Sequence, residues 1–335
     1  MKRCIVVLLL ITSLSSFCQT YHLQKVEASS ASSFRGLSVI DDKVAWVSGN
    51  KGQVGLTTDG GQTWNFNTVA GHEGSDFRSI YAFDDQHAII ANAGAPAHIL
   101  VTMNGGASWK LVYKNEHKDA FFNGIDFWND NEGIIYGDPI DGKMLLLRSI
   151  NQGDSWLEIP TSPILEKGEA SFAASGTGIR CTNKNEVIIC TGGVVSRLWI
   201  SKNKGESWTA LQTPIVQGES ATGIFSTTLN KNMLIIVGGD FQNESMTTNH
   251  HFYSMDGGAQ WVAPTTTVRG YRECVEFISE QVILATGPSG VDISYDNGFH
   301  WEALSDEKGL HVVRKARRGS LVLAAGGKGL MFLIK

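Results

Sequence analysis

Proline is scarce in this 335-residue chain, with 7 copies, and only 18% of its residues are charged. A polar, proline-rich linker protein has the reverse profile, so wholesale disorder is excluded. Five cysteines are too few for a disulfide-built scaffold. No stretch reaches the roughly 20 apolar residues that cross a bilayer as a helix, so no membrane span is expected. Excess basic charge is missing too: 28 Lys and Arg face 33 Asp and Glu, for a formal charge of −5. That balance excludes nucleic acid as an expected partner. Glycine, with 37 copies, and tryptophan, with 9, are plentiful. Such a composition points to many short strands joined by tight turns.

The first residues, Met1-Lys2-Arg3, are basic; an apolar run from Cys4 to Ile11 follows, then Ser15, Ser16 and Cys18. A basic start, a short apolar stretch and a small-residue exit make a signal peptide over 1–18. An exported protein is expected, periplasmic or secreted, with 19–335 as one domain and a monomer as its state. Removal of 1–18 would leave Cys181, Cys190 and Cys274, an odd number. A hairpin turn centred on Lys184–Asn185 would pair Cys181 with Ile188, which puts Cys181 and Cys190 out of register for a disulfide. No Cys/His spacing matches a zinc site, and buried, inert thiols are expected.

An internal repeat organises the rest. The pattern Ser/Thr-x-Asp/Asn-x-Gly-x-x-Trp occurs six times, with key residues Asp59 and Trp64, Asn104 and Trp109, Asn151 and Trp156, Asn203 and Trp208, Asp256 and Trp261, and Asp296 and Trp301. Trp-to-Trp spacings are 45, 47, 52, 53 and 40 residues. Asp or Asn before Gly favours a turn in which the side-chain oxygen accepts backbone N–H groups, and the indole adds an apolar plug. Around the first copy, segments 34–40, 44–48, 53–58 and 65–69 read as four strands. Four short strands per period of roughly 45 residues describe a propeller blade. Three strands follow the last copy, at 310–317, 320–325 and 330–334, while 21–27 is an orphan strand at the start. The expected fold is all-β: a seven-bladed β-propeller of four-stranded blades, with N- and C-terminal strands sharing the closing blade.

The boxes resemble the Asp-box, or bacterial neuraminidase, repeats of sialidases and related propellers. The fuller run Ala45-Trp46-Val47-Ser48-Gly49-x-x-Gly52, with its box, more closely resembles the photosystem II stability/assembly factor family. This likeness spans about residues 21–335. It implies a seven-bladed propeller that works by binding partner proteins, without catalysis.

All boxes connect third to fourth strands and so share one end of the ring. The opposite rim carries the irregular loops 137–142, 192–197 and 239–251, and irregular loops of repeat proteins commonly bear function. The aromatic–Arg pairs Phe34-Arg35, Phe77-Arg78 and Tyr271-Arg272 start inner strands on that rim, so Arg35, Arg78 and Arg272 would form an arc. With Asp138, Glu169, Asp240 and Tyr271 they are the candidate contacts for a protein partner or a polar or anionic ligand, since guanidinium binds carboxylate at two points. Salt bridges between blades would place the same arginines equally well. A sialidase-like glycoside hydrolase is the competing reading. It needs two suitably separated carboxyl groups, for which Asp138, Glu169 and Asp240 are available, but no spacing singles out a pair. Phe34-Arg35 is followed by Gly36-Leu37, unlike the sialidase signature. No Gly-x-Gly-x-x-Gly opens a helix, Ser289 lacks a nucleophile-elbow spacing, and His250-His251 has no third ligand. No cofactor, metal or catalytic residue is expected.

Overall fold

The computed structural model describes residues 20–335; the expected leader, 1–18, lies outside the described residues. Seven antiparallel sheets follow one another around a ring. Blade one comprises Phe34–Val39, Ala45–Gly49, Gln53–Thr57 and Asn65–Thr68. In blade seven the order is Leu23–Val26, Met331–Ile334, Val322–Gly326, Leu310–Lys315. Leu23 pairs with Ile334 and Val26 with Met331, so the first described strand is the outer edge of the last blade. The ring closes as expected. No helix among the described residues is long and apolar enough to cross a membrane.

Inner and middle strands are buried on both faces, as alternate residues pack against the blade before and the blade after. In blade two, Ala88–Ala91 is buried throughout, whereas no residue of the outer strand Lys110–Asn115 is buried. Each box closes on itself. Thr57 Oγ1 donates to Asp59 Oδ1 at 2.8 Å and accepts the Gly61 N–H at 3.0 Å; Asp59 Oδ1 also accepts the Thr63 N–H at 2.9 Å. The second glycine of the box has a positive φ, +83° at Gly61, and a Cβ there would fall 2.8 Å from Leu323 of blade seven. Both the turn and the blade contact therefore require glycine. The box indoles are less uniform than the repeat implies. Trp156 and Trp301 are buried, but Trp64, Trp109, Trp208 and Trp261 are only half-buried.

Blade five departs from the pattern. Glu169–Ala170 and Gly192–Gly193 join its inner edge, making five strands, while its own outer strand shrinks to the single bridge Tyr253–Val262. Pro264 has no N–H to continue a ladder, and the next residue donates instead to Phe299 of blade six. The hairpin after Cys181 is one residue tighter than expected: Cys181 pairs with Val187, and Arg180 with Ile188. All three described cysteines are free; Cys190 and Cys274 are buried, and Cys181 is partly exposed.

Candidate functional site

Bulges at the start of the inner strands shape the rim opposite the boxes. Pairing skips one residue between Phe34 and Gly36, Phe122 and Gly124, Ile224 and Ser226, and Leu310 and Val312. The skipped residues are Arg35, Asn123, Phe225 and His311. A bulge bends its strand and re-aims the extra side chain. In blades two and six, Arg78 and Glu273 immediately precede Ser79–Ala82 and Cys274–Phe277, which places them at the equivalent step.

This register corrects the expected arc. Tyr271-Arg272 is one residue out of step with Phe34-Arg35, and one step turns a side chain to the other face. Arg272 is fully buried, bonded to Asp292, to the Tyr271 carbonyl at 2.8 Å and to Ser289 Oγ at 2.8 Å. Glu273 stands where the third arginine was expected. Arg35 Nη1 donates to Glu273 Oε1 at 3.1 Å and to the Ala174 carbonyl at 2.7 Å. Arg78 Nε pairs with Asp76 at 2.7 Å and remains one-third exposed.

The connection between Ala170 and Ile179 lies across the channel mouth. Ala174 meets Arg35 of blade one, and Ser175 Oγ donates to the Glu273 carbonyl of blade six at 2.7 Å. Above it, Phe172 stacks on Phe225 with ring centroids 3.8 Å apart, and Tyr271 meets Phe225 edge-on at 4.6 Å. Arg35, Arg78, Phe241, Glu244 and Glu273 complete the lining of a cleft of about 310 Å³. Arg35, Arg78 and Tyr271 thus come together as candidates. Burial raises the Tyr271 phenol well above its ordinary pKa, so it stays neutral.

The candidate acids sit apart from that cleft. Glu169 is buried and pairs with Arg197; it also accepts Thr191 Oγ1 at 2.7 Å and Trp199 Nε1 at 3.1 Å. Burial opposes its charge, yet Arg197, Thr191 and the Glu166 N–H outweigh burial and hold its carboxyl below the ordinary range. Asp138 accepts Asn123 Nδ2 at 2.8 Å and the Ser171 N–H at 3.2 Å, and burial pushes its carboxyl up. Asp240, half-buried, accepts the Gln242 N–H at 2.8 Å within its own loop.

The box end of the channel holds a cavity of about 690 Å³ that the sequence reading did not single out. Arg180 there donates to Glu276 at 2.6 Å and to the Thr227 carbonyl at 2.7 Å. Asp126 accepts the Cys181 N–H at 2.7 Å, and its burial raises its pKa. Asp126, Arg180, Glu276 and Arg314 are charges inside otherwise apolar inner strands, a signal visible at Ile125-Asp126-Phe127 and Ile179-Arg180-Cys181. Among the described residues, no group of three or more His, Cys, Asp or Glu could hold a metal ion.

A model of the family described as photosynthesis system II assembly factor YCF48 matches residues 82–228. No curated protein matches the chain. Among solved structures, the chain is similar to YCF48 bound to D1 peptide, with a TM-score of 0.66 and 14% identity over 94% of this chain and 96% of that one. It is similar to YCF48 from Cyanidioschyzon merolae, with a TM-score of 0.65 and 15% identity over 93% and 98%. A GH74 xyloglucanase from Xanthomonas campestris gives a TM-score of 0.64 and 14% identity, covering 93% of this chain but 53% of that enzyme. The resemblance to assembly-factor propellers read from the boxes is borne out. At such identities the structural likeness speaks for architecture alone.

Proposed function

We propose that this chain is an exported binding or assembly propeller that captures a protein segment on the rim opposite the boxes, and that it does not process glycans. One observation carries the reading: Arg35 and Arg78 flank a cleft floored by Phe172, Phe225 and Tyr271. Guanidinium groups beside aromatic faces suit a peptide that offers a carboxylate and an apolar side chain. The match to the YCF48 family model supports it, as does the fact that one similar propeller was solved with a bound peptide. Arg35 is already engaged by Glu273 and Ala174, so Arg78 is the freer contact.

A glycan-processing reading has the likeness to the xyloglucanase in its favour. Against it, Arg197 occupies Glu169, and Asp138 is spent on Asn123 and Ser171. Two measurements separate the readings. Photo-cross-linking from the cleft in envelope extracts should capture a protein, and Arg78→Ala should weaken that capture most at low salt. A panel of fluorogenic glycosides, sialosides included, should give no turnover. Turnover abolished by Glu169→Gln or Asp138→Asn would overturn the binding reading.

A further inference from the structure

Three residues of the rim, from blades one, seven and six, line up as a hydrogen-bonded relay. Ser33 Oγ lies 3.2 Å from His311 Nε2, and His311 Nδ1 lies 2.5 Å from Glu273 Oε2. They are 278 and 38 residues apart in the chain, so only the closed ring assembles them. Each is held. The Ser33 N–H donates to Asn50 Oδ1 at 2.9 Å and its carbonyl accepts the Asn50 N–H at 3.2 Å. His311 is the residue skipped at the blade-seven bulge, which turns its ring into the mouth. Arg35 binds the other oxygen of Glu273, whose side chain is 8% exposed.

The chemistry of the donors sets the tautomer. An ionised carboxylate only accepts, so the proton between His311 and Glu273 sits on Nδ1; in the neutral ring Nε2 is then the acceptor, facing the Ser33 hydroxyl. Burial opposes the charge of Glu273, but Arg35 and His311 outweigh it and keep the carboxyl ionised below its ordinary range. Gly327 flanks the ring without covering it: a Cβ there would lie 3.6 Å from Nε2. Ser33 itself is partly exposed.

We infer that Ser33, His311 and Glu273 form a nucleophile–base–acid relay that cleaves a small carboxylic ester. This does not depend on the binding function proposed above. Ser33 Oγ forms a bond to the acyl carbon as the bond to the alkoxy oxygen breaks. The serine proton passes to Nε2 and on to the leaving oxygen, releasing an alcohol. Water, deprotonated by Nε2, then attacks the acyl-serine; the acid leaves and the proton returns to Ser33. An alkoxide leaves more readily than an amide anion and needs less complete protonation on departure, which makes an ester rather than a peptide bond the substrate class.

The full chain, treated with a fluorophosphonate and mapped by mass spectrometry, tests the relay. The reagent loses fluoride as Ser33 Oγ bonds to phosphorus, and the serine proton goes to His311. Labelling of Ser33 should exceed that of the exposed Ser245 by about 100-fold, the low end of general-base assistance. It should vanish in S33A and slow by about 100-fold in H311Q, with p-nitrophenyl acetate turnover falling in parallel. Should H311Q fail to fold, the ratio of Ser33 to Ser245 labelling in the unaltered chain decides alone. Equal labelling of the two serines, or an H311Q protein with an unchanged thermal transition that labels at the original rate, overturns the inference.

Discussion

Arg35 Nη1 of blade one and Glu273 Oε1 of blade six meet at 3.1 Å across 238 residues of chain. Blade seven lies between them, so the contact bridges the inner edge of the blade that the two chain ends build together. Removing Glu273 leaves Arg35 with only the Ala174 carbonyl, and removing Arg35 takes away one of the partners of the buried Glu273 carboxylate, so neither is a neutral probe of binding.

Blade closure predicts the effect of trimming the start of the chain. Deleting residues 19–28 removes the whole ladder to Met331–Ile334 and the His22–Lys335 backbone pair. At about 1 kcal/mol per hydrogen bond, a loss of about 3–5 kcal/mol is expected. A denaturant titration with an unchanged midpoint would count against a closure that contributes to stability.

The six box tryptophans should not be equivalent. Trp301 is buried, donates Nε1 to the Gly298 carbonyl at 2.9 Å and meets His251 edge-on. Trp301→Ala should cost about 3–5 kcal/mol. Trp109→Ala removes a half-buried ring whose main neighbour is Trp46, at 6.3 Å, and should cost clearly less. Thermal unfolding of the pair gives the ranking, and reversed values would refute it.

Glu169 and Arg197 form a buried pair, with the guanidinium also 4.8 Å over the Trp199 ring. Arg197→Ala strands a carboxylate and should destabilise by about 3–5 kcal/mol. The double change Glu169→Gln with Arg197→Met should recover much of that. A double variant as weak as the single one would show that the charge pairing is not the source.

Stability should begin to fall below about pH 6.5, earlier than carboxylates alone would dictate. His251 is buried, its Nε2 has no hydrogen-bond partner, and burial with the neighbouring His250 lowers its pKa to about 3. The unfolded chain takes up this proton below about 6.5, whereas the folded chain does not until about 3. The contribution is therefore complete above 6.5 and is lost at up to about 1.4 kcal/mol per pH unit as pH falls. Glu132, lowered to about 2 by Lys204 and Arg148, has the same sign, lost only below its ordinary 4.5. His251→Phe should flatten the profile between pH 6.5 and 4.5; parallel curves for the two proteins would dismiss His251 as its cause.

The architecture was legible because a box is local: its Ser/Thr, Asp/Asn and Gly bond within five residues, so each copy announces a turn wherever it sits. Closure could be counted from the unmatched segments at the two ends. The site was legible only in part. The rim position of Arg35 and Arg78 could be read, but the step between Tyr271-Arg272 and Phe34-Arg35 depends on bulges that leave no pattern in a single strand. Glu273, His311 and Ser33 are unremarkable in sequence, since only the closed ring brings them together. The lost outer strand of blade five had a signal in Pro264, which the regularity of the repeat masked.

Because Leu23–Val26 pairs with Met331–Ile334, the earliest described strand waits for the latest. A chain that emerges from its amino end can complete six sheets before the ring is able to shut. Until residues 310–334 are free, blades one and six have no complete blade between them, and Ser33 stays apart from His311. Any reactivity that needs Ser33, His311 and Glu273 together is therefore silent before that pairing forms, and appears in the same event that shuts the ring.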